Sequence, residues 1–146
     1  MSHVVSIDVE IRDLEALAVA AKKLGLELVL GQKTYRWYGQ HVGDYPMPIG
    51  FTAADLGKCE HALRIPGNAS AYEIGVVARK DGRPGFQLVW DFWAGGRGLE
   101  AVAGKDCCHV RREYATAAAR LQAQRLGYRV QEQRLEDGSV RLSISR

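Results

Sequence analysis

The chain has 146 residues, 47% apolar and 25% charged, with a net charge of +3, a make-up that fits one globular domain, 1–146, with a core of its own. No apolar run approaches the roughly 18 residues of a membrane-crossing helix, and the opening Met1-Ser2-His3-Val4-Val5-Ser6-Ile7-Asp8 alternates and meets acid too early for a secretory signal. The three cysteines, Cys59, Cys107 and Cys108, are an odd set with two adjacent, which argues against a disulfide framework and for a reducing, cytoplasmic setting.

Val5, Ile7, Val9 and Ile11 alternate with Ser6, Asp8 and Glu10, the pattern of a half-buried strand. Asp13 then offers an N-cap to a helix whose stripe of Leu14, Leu17, Ala18, Ala21 and Leu24 ends at Gly25. A second strand is expected over 26–30. Gly31-Gln32 turns it into a third over 34–38. Residues 39–58 hold Gly39, Gly43, Pro46, Pro48, Gly50 and Gly57 without a period and form an irregular insertion loop. Strands follow at 59–65, 72–79 and 86–93, the last two joined as a hairpin across Lys80-Asp81-Gly82-Arg83. Gly95-Gly96-Arg97-Gly98 marks a flexible connection over 94–105. A second helix runs from near Asp106 to Gly127, and a final hairpin pairs 128–135 with 140–145.

Ala21-Lys22-Lys23-Leu24-Gly25-Leu26 and Ala123-Gln124-Arg125-Leu126-Gly127-Tyr128 are near-copies. Each reads as a last helical turn, a glycine stop and the first strand residue folding back over that turn. Strands joined by tight turns are antiparallel, and two helices cannot cover both faces of so many strands. The expected fold is therefore α+β: a largely antiparallel sheet of about seven to eight strands with two main helices packed on one face.

The residues Met1-Ser2-His3, Asp13-Leu14-Glu15-Ala16-Leu17, Leu63-Arg64-Ile65-Pro66-Gly67, Tyr72-Glu73-Ile74-Gly75, Asp91-Phe92-Trp93 and Glu136-Asp137-Gly138-Ser139-Val140-Arg141-Leu142 occur in that order. Together they resemble the uncharacterised family named for a hypothetical chloroplast open reading frame, a domain of unknown function. Its members occur in plastids, cyanobacteria, other bacteria and tailed phages. The resemblance spans the chain apart from 39–58, where members have a shorter connection, and 94–103. It implies a soluble accessory protein, with an AAA-type ATPase system as a partner class, and supplies no catalytic residue.

Chemistry-bearing groups are few. Tyr35-Arg36-Trp37-Tyr38 and Trp90-Asp91-Phe92-Trp93 are the aromatic patches, able to stack a base or hold a partner's side chain beside Arg36, or simply to pair across strands. Asp91, wedged between rings, is the candidate general acid or base if buried without a partner, with His61 or His109 beside it. Cys59, His61, Cys107, Cys108 and His109 lack the ligand spacing of structural zinc sites, and no metal or cofactor is expected. Gly98 to Asp106 has one residue too many between its glycines for a phosphate loop, and Asp106 stands where Ser or Thr would hold magnesium.

From Lys105 to Arg146 there are nine Lys/Arg against five Asp/Glu, a balance of +4, which leaves −1 for the rest of the chain. Arg111, Arg112, Arg120 and Arg125 give the second helix a cationic side. The leading expectation is a non-enzymatic binding or adaptor module that meets a protein on Tyr35, Arg36, Trp37, Tyr38, Asp91, Trp93, Arg111, Arg112 and Arg120. The alternative is a nucleotide or nucleic-acid ligand protein using the same rings and arginines. An enzyme built on Asp91 is the third reading.

Overall fold

The computed structural model describes residues 2–146. Strand β1 (Val4–Ile11) leads through Asp13, whose carboxylate accepts from the Ala16 amide at 3.1 Å, into helix α1 (Leu14–Lys23). The helix ends as its sequence dictates. Gly25 sits at φ +77°, and the Leu26 amide donates to the Ala21 carbonyl at 2.8 Å, closing the last turn. Strands β2 (Glu27–Leu30), β3 (His61–Arg64), β4 (Ile74–Ala78) and β5 (Phe86–Asp91) follow. Then come the short helix α2 (Leu99–Ala103), the long helix α3 (Cys108–Arg125), and the hairpin β6 (Arg129–Arg134) and β7 (Val140–Ser145). The second Leu-Gly corner repeats the first: Gly127 at φ +85°, with Tyr128 donating to the Ala123 carbonyl at 3.0 Å.

The fold is α+β, with every strand pairing antiparallel. The seven strands form two sheets instead of one. Five make a sheet of order β1-β5-β4-β3-β2, and β6-β7 stand apart as a second. The expected strand at 34–38 does not form. Thr34 makes one isolated bridge to Lys58, while the next amides go to loop and side-chain oxygens: Tyr35 to the Gly57 carbonyl, Arg36 to Glu73 and Tyr38 to Asp91. The connection over 94–105 carries α2, with Leu99 and Ala103 fully buried. Just before it, Ala94, Gly95, Gly96 and Arg97 turn left-handed in succession, with φ between 53° and 65°. A Cβ on Gly96 would sit 3.1 Å from Leu99 and 3.3 Å from Trp90, so the turn needs glycine for space as well as for φ.

The main sheet buries both faces. On one, Ile7, Leu63, Ile74, Val76, Leu88 and Trp90 meet Leu17 and Ala20 of α1 and Val110, Tyr114 and Ala117 of α3, so both helices lie on one side as expected. Tyr114 also accepts from the Arg12 and Asp13 amides at 3.0 and 3.2 Å, fastening α3 to the start of α1. On the other face, Val4, Ala62, Val77 and Val89 are covered by Tyr35, Phe51, Leu56 and Cys59. Residues 35–59 thus act as the missing layer that two helices could not supply. Among the described residues no helix is long and apolar enough to cross a membrane.

Candidate functional site

Asp91 closes β5 with its side chain fully buried. One carboxylate oxygen accepts from the His3 amide at 2.9 Å and the Trp93 amide at 3.0 Å; the other accepts from the Tyr38 amide at 3.1 Å. No ionisable side chain bonds to it among the described residues. His61 accepts on Nδ1 from the Gly31 amide at 2.9 Å, and His109 places Nδ1 3.1 Å from the Val102 carbonyl. The acid–base pair expected of Asp91 with either histidine is therefore not assembled. The carboxylate is a clamp that joins the start of β1, the head of the 39–58 loop and the exit from β5. Beside it the His3 ring stacks on Tyr45 at 5.0 Å and reaches the Asp44 carboxylate at 3.0 Å, pinning the loop a second time.

The aromatic run faces several ways. Tyr35 is buried against Gly75, whose hypothetical Cβ would lie 2.5 Å from the ring, and burial pushes its phenol up to about 12. Trp37 is half-buried over Gly57. Arg36 donates to the Ala71 carbonyl at 2.6 Å and lies 3.7 Å from Glu73, so its guanidinium is held within the chain. Tyr38, 41% exposed, meets Trp93 with ring centroids 6.3 Å apart. That pair is the accessible part of the run.

The arginines of α3 also have internal work. Arg111 donates to the Asp106 carbonyl at 3.1 Å and Arg112 to the Gly138 carbonyl at 3.3 Å. Arg120 pairs with Glu132 at 3.0 Å, and Arg125 with Asp13 and Glu15, both at 2.8 Å. Tyr35 and Trp37 pack on the loop-covered face of the sheet and α3 on the helix-covered face. The nine residues expected to make one surface are thus split by the sheet between them. Cys59 and Cys107 are separated in the same way, and burial raises both thiols to about 12. No group of three or more His, Cys, Asp or Glu able to hold a metal forms among the described residues.

Two features lie outside the expected site. The first is the β6–β7 hairpin. Its inner face sets Val130, Glu132, Val140 and Leu142, all half-buried, over α3. Its outer face carries Arg129, Gln131, Gln133, Arg141, Ser143 and Ser145, all exposed. Glu132 binds Lys23 of α1 at 3.4 Å and Arg120 of α3 at 3.0 Å, while Arg134 binds the buried Glu113 at 3.0 Å. At the open end Leu126 is 64% and Ile144 52% exposed. The sequence predicted the hairpin of 128–135 with 140–145, yet nothing in it said that β7 would lack a second neighbour.

The second feature is a cleft of about 400 Å³ between the 39–58 loop and the polar end of the main sheet, floored by Ser6 and Gln87. Composition does not reveal it, since its walls come from four separate stretches of chain. No protein-family model, curated protein or solved structure matches this chain, and the geometry of these surfaces alone carries its functional reading.

Proposed function

We propose that this protein is a non-enzymatic adaptor module that receives an extended acidic segment of a protein partner along the outer edge of β7. The observation that carries the reading is the half-finished hairpin. β7 has one paired neighbour, and Ile144 and Leu126 stand exposed at its end. A two-stranded sheet is marginal in water, and an open strand edge is a template for another strand. A third strand beside β7 would continue the row of Val140 and Leu142 and cover Ile144. The outer face carries Arg129 and Arg141 and no carboxylate, which favours an acidic segment. Arg112 and Arg120 act here by holding the hairpin on α3 rather than by touching the partner. The family resemblance adds an AAA-type ATPase system as the class of protein to try first.

Affinity capture with the full chain, followed by hydrogen exchange on the complex, tests this. The reading expects one stoichiometric protein and slower exchange along β7. Ile144→Asp and the pair Arg129→Glu, Arg141→Glu should each abolish capture without lowering the melting temperature. Capture that survives both changes overturns it. So does salt-sensitive binding to oligonucleotides through the same arginines, the behaviour of a nucleic-acid ligand.

A further inference from the structure

The cleft beside the 39–58 loop shares no residue with the hairpin. Ser6 of β1 and Gln87 of β5 project from neighbouring strands on the loop-covered face, since Ser6 sits opposite Val89. That face is apolar where the loop covers it and polar beyond, and the cleft opens at the boundary. Gln87 is only 8% exposed, yet its carboxamide makes no hydrogen bond among the described residues and borders the cleft. Its polar atoms open onto the cleft and are not sealed off, so water meets the carboxamide and a ligand that enters replaces that water. The Ser6 hydroxyl on the same face also makes no hydrogen bond among the described residues.

The rim decides what that ligand is. Arg79 is fully engaged, donating to Asp8 at 3.0 Å, to Asp81 at 2.8 Å and to the Val9 carbonyl at 2.6 Å. Among the described residues Lys80 makes no salt bridge, although Asp55 lies close enough to feel its charge; its ammonium rests over the Phe51 ring, 5.2 Å from the centroid. Arg83 gives Nη2 to Glu10 at 2.8 Å, and among the described residues its other side-chain donors are free. With Glu10, which Arg83 shares with Arg12, four cations (Arg12, Arg79, Lys80, Arg83) face three carboxylates (Asp8, Glu10, Asp81) around the cleft, a balance of +1. A ligand with one negative charge suits that balance. A phosphate, with nearly two charges and Asp8 and Asp81 close by, suits it less. Ile49, 95% exposed on the lip, offers an apolar contact to whatever enters.

The geometry points to a carboxylate-bearing peptide as the ligand: its carboxylate on Lys80 and Arg83, a neighbouring backbone amide paired with the Gln87 carboxamide, and an apolar side chain against Ile49. A carboxamide matches a peptide group donor to acceptor, and a guanidinium matches a carboxylate. The carboxylate could come from a chain terminus or an acidic side chain.

NMR titration of the full chain, following the Gln87 side-chain amide, separates these sources with three probes: acetyl-trialanine with a free terminus, its C-terminal amide, and acetyl-Ala-Glu-Ala-amide. Saturable shifts are expected with one or both carboxylate peptides and none with the amidated trialanine. Lys80→Gln and Gln87→Leu should each weaken binding about tenfold or more, the effect of losing one well-placed hydrogen bond to a charged or buried group, with melting checked in parallel. Absence of saturable shifts with either carboxylate peptide at millimolar concentration refutes the assignment. So does affinity unchanged in Lys80→Gln, a substitution on an exposed side chain that leaves the fold alone. Tighter binding of inorganic phosphate than of the carboxylate peptides refutes it too.

Discussion

Removing the Asp91 carboxylate tests whether this residue is a structural clamp. In Asp91→Ala three amides, of His3, Tyr38 and Trp93, lose their acceptor at a fully buried position. Each stranded donor costs about 1–3 kcal/mol, and some relief comes from water entering the space left behind, so a loss of about 3–5 kcal/mol is expected. For a domain of this size that lowers the melting temperature by on the order of 10 °C. Asp91→Asn keeps the shape and one acceptor oxygen but turns an NH₂ toward a third amide, donor against donor; about 1–2 kcal/mol is expected. Urea unfolding measures both losses. Hydrogen exchange supplies the local signature: the amides of His3, Tyr38 and Trp93 should lose protection well beyond their neighbours. An alanine variant within about 1 kcal/mol of the parent, or an asparagine variant indistinguishable from it, would refute the clamp.

Alkali should destabilise the fold through Cys59, Cys107 and Tyr35, whose burial raises them from 9.0, 9.0 and 10.0 to about 12. Each deprotonates first in the unfolded chain, so stability is intact below pH 9 and falls as pH rises toward 12; Tyr35→Phe should remove a share on the order of 2 kcal/mol from the upper part of that fall, read by urea unfolding. With a thiol reagent at pH 8 the native protein should give one fast equivalent, from half-buried Cys108, and all three cysteines after unfolding. Gly75→Ala, which drives a methyl to within 2.5 Å of the Tyr35 ring, should cost about 1–3 kcal/mol in the same unfolding assay. Glu132→Gln loosens the contacts to Lys23, Arg120 and Arg134 and should speed exchange of β6 and β7 amides, leaving β3 to β5 unchanged.

Much of the architecture was legible because it rests on local chemistry. The β1 alternation, the Asp13 cap and the two glycine corners each place a side chain or a φ value that the neighbouring residues alone determine. The 34–38 segment misled for a definite reason. Tyr35, Trp37 and Tyr38 have the composition of a strand, but the amides of Tyr35, Arg36 and Tyr38 find Gly57, Glu73 and Asp91, partners supplied by folding and invisible to propensity. The same holds for the candidate site. Ring and arginine counts suggested one surface, while strand pairing put the run on one face of the sheet and α3 on the other. The empty edge of β7 and the unpartnered Gln87 are properties of what is missing beside a residue, which no run of letters records.

The pairing of β1 with β5 has a further consequence, in time. β2, β3 and β4 each pair with the next strand in sequence, whereas Val4 must find Asp91, and the His3 amide and the Asp91 carboxylate lie 88 residues apart. Long-range closure of this kind slows folding and leaves an unpaired edge waiting. On the ribosome β1 emerges before the four other strands of its sheet and must wait for all of them. Until Asp91 itself is made, the amide at His3 has nothing to hold.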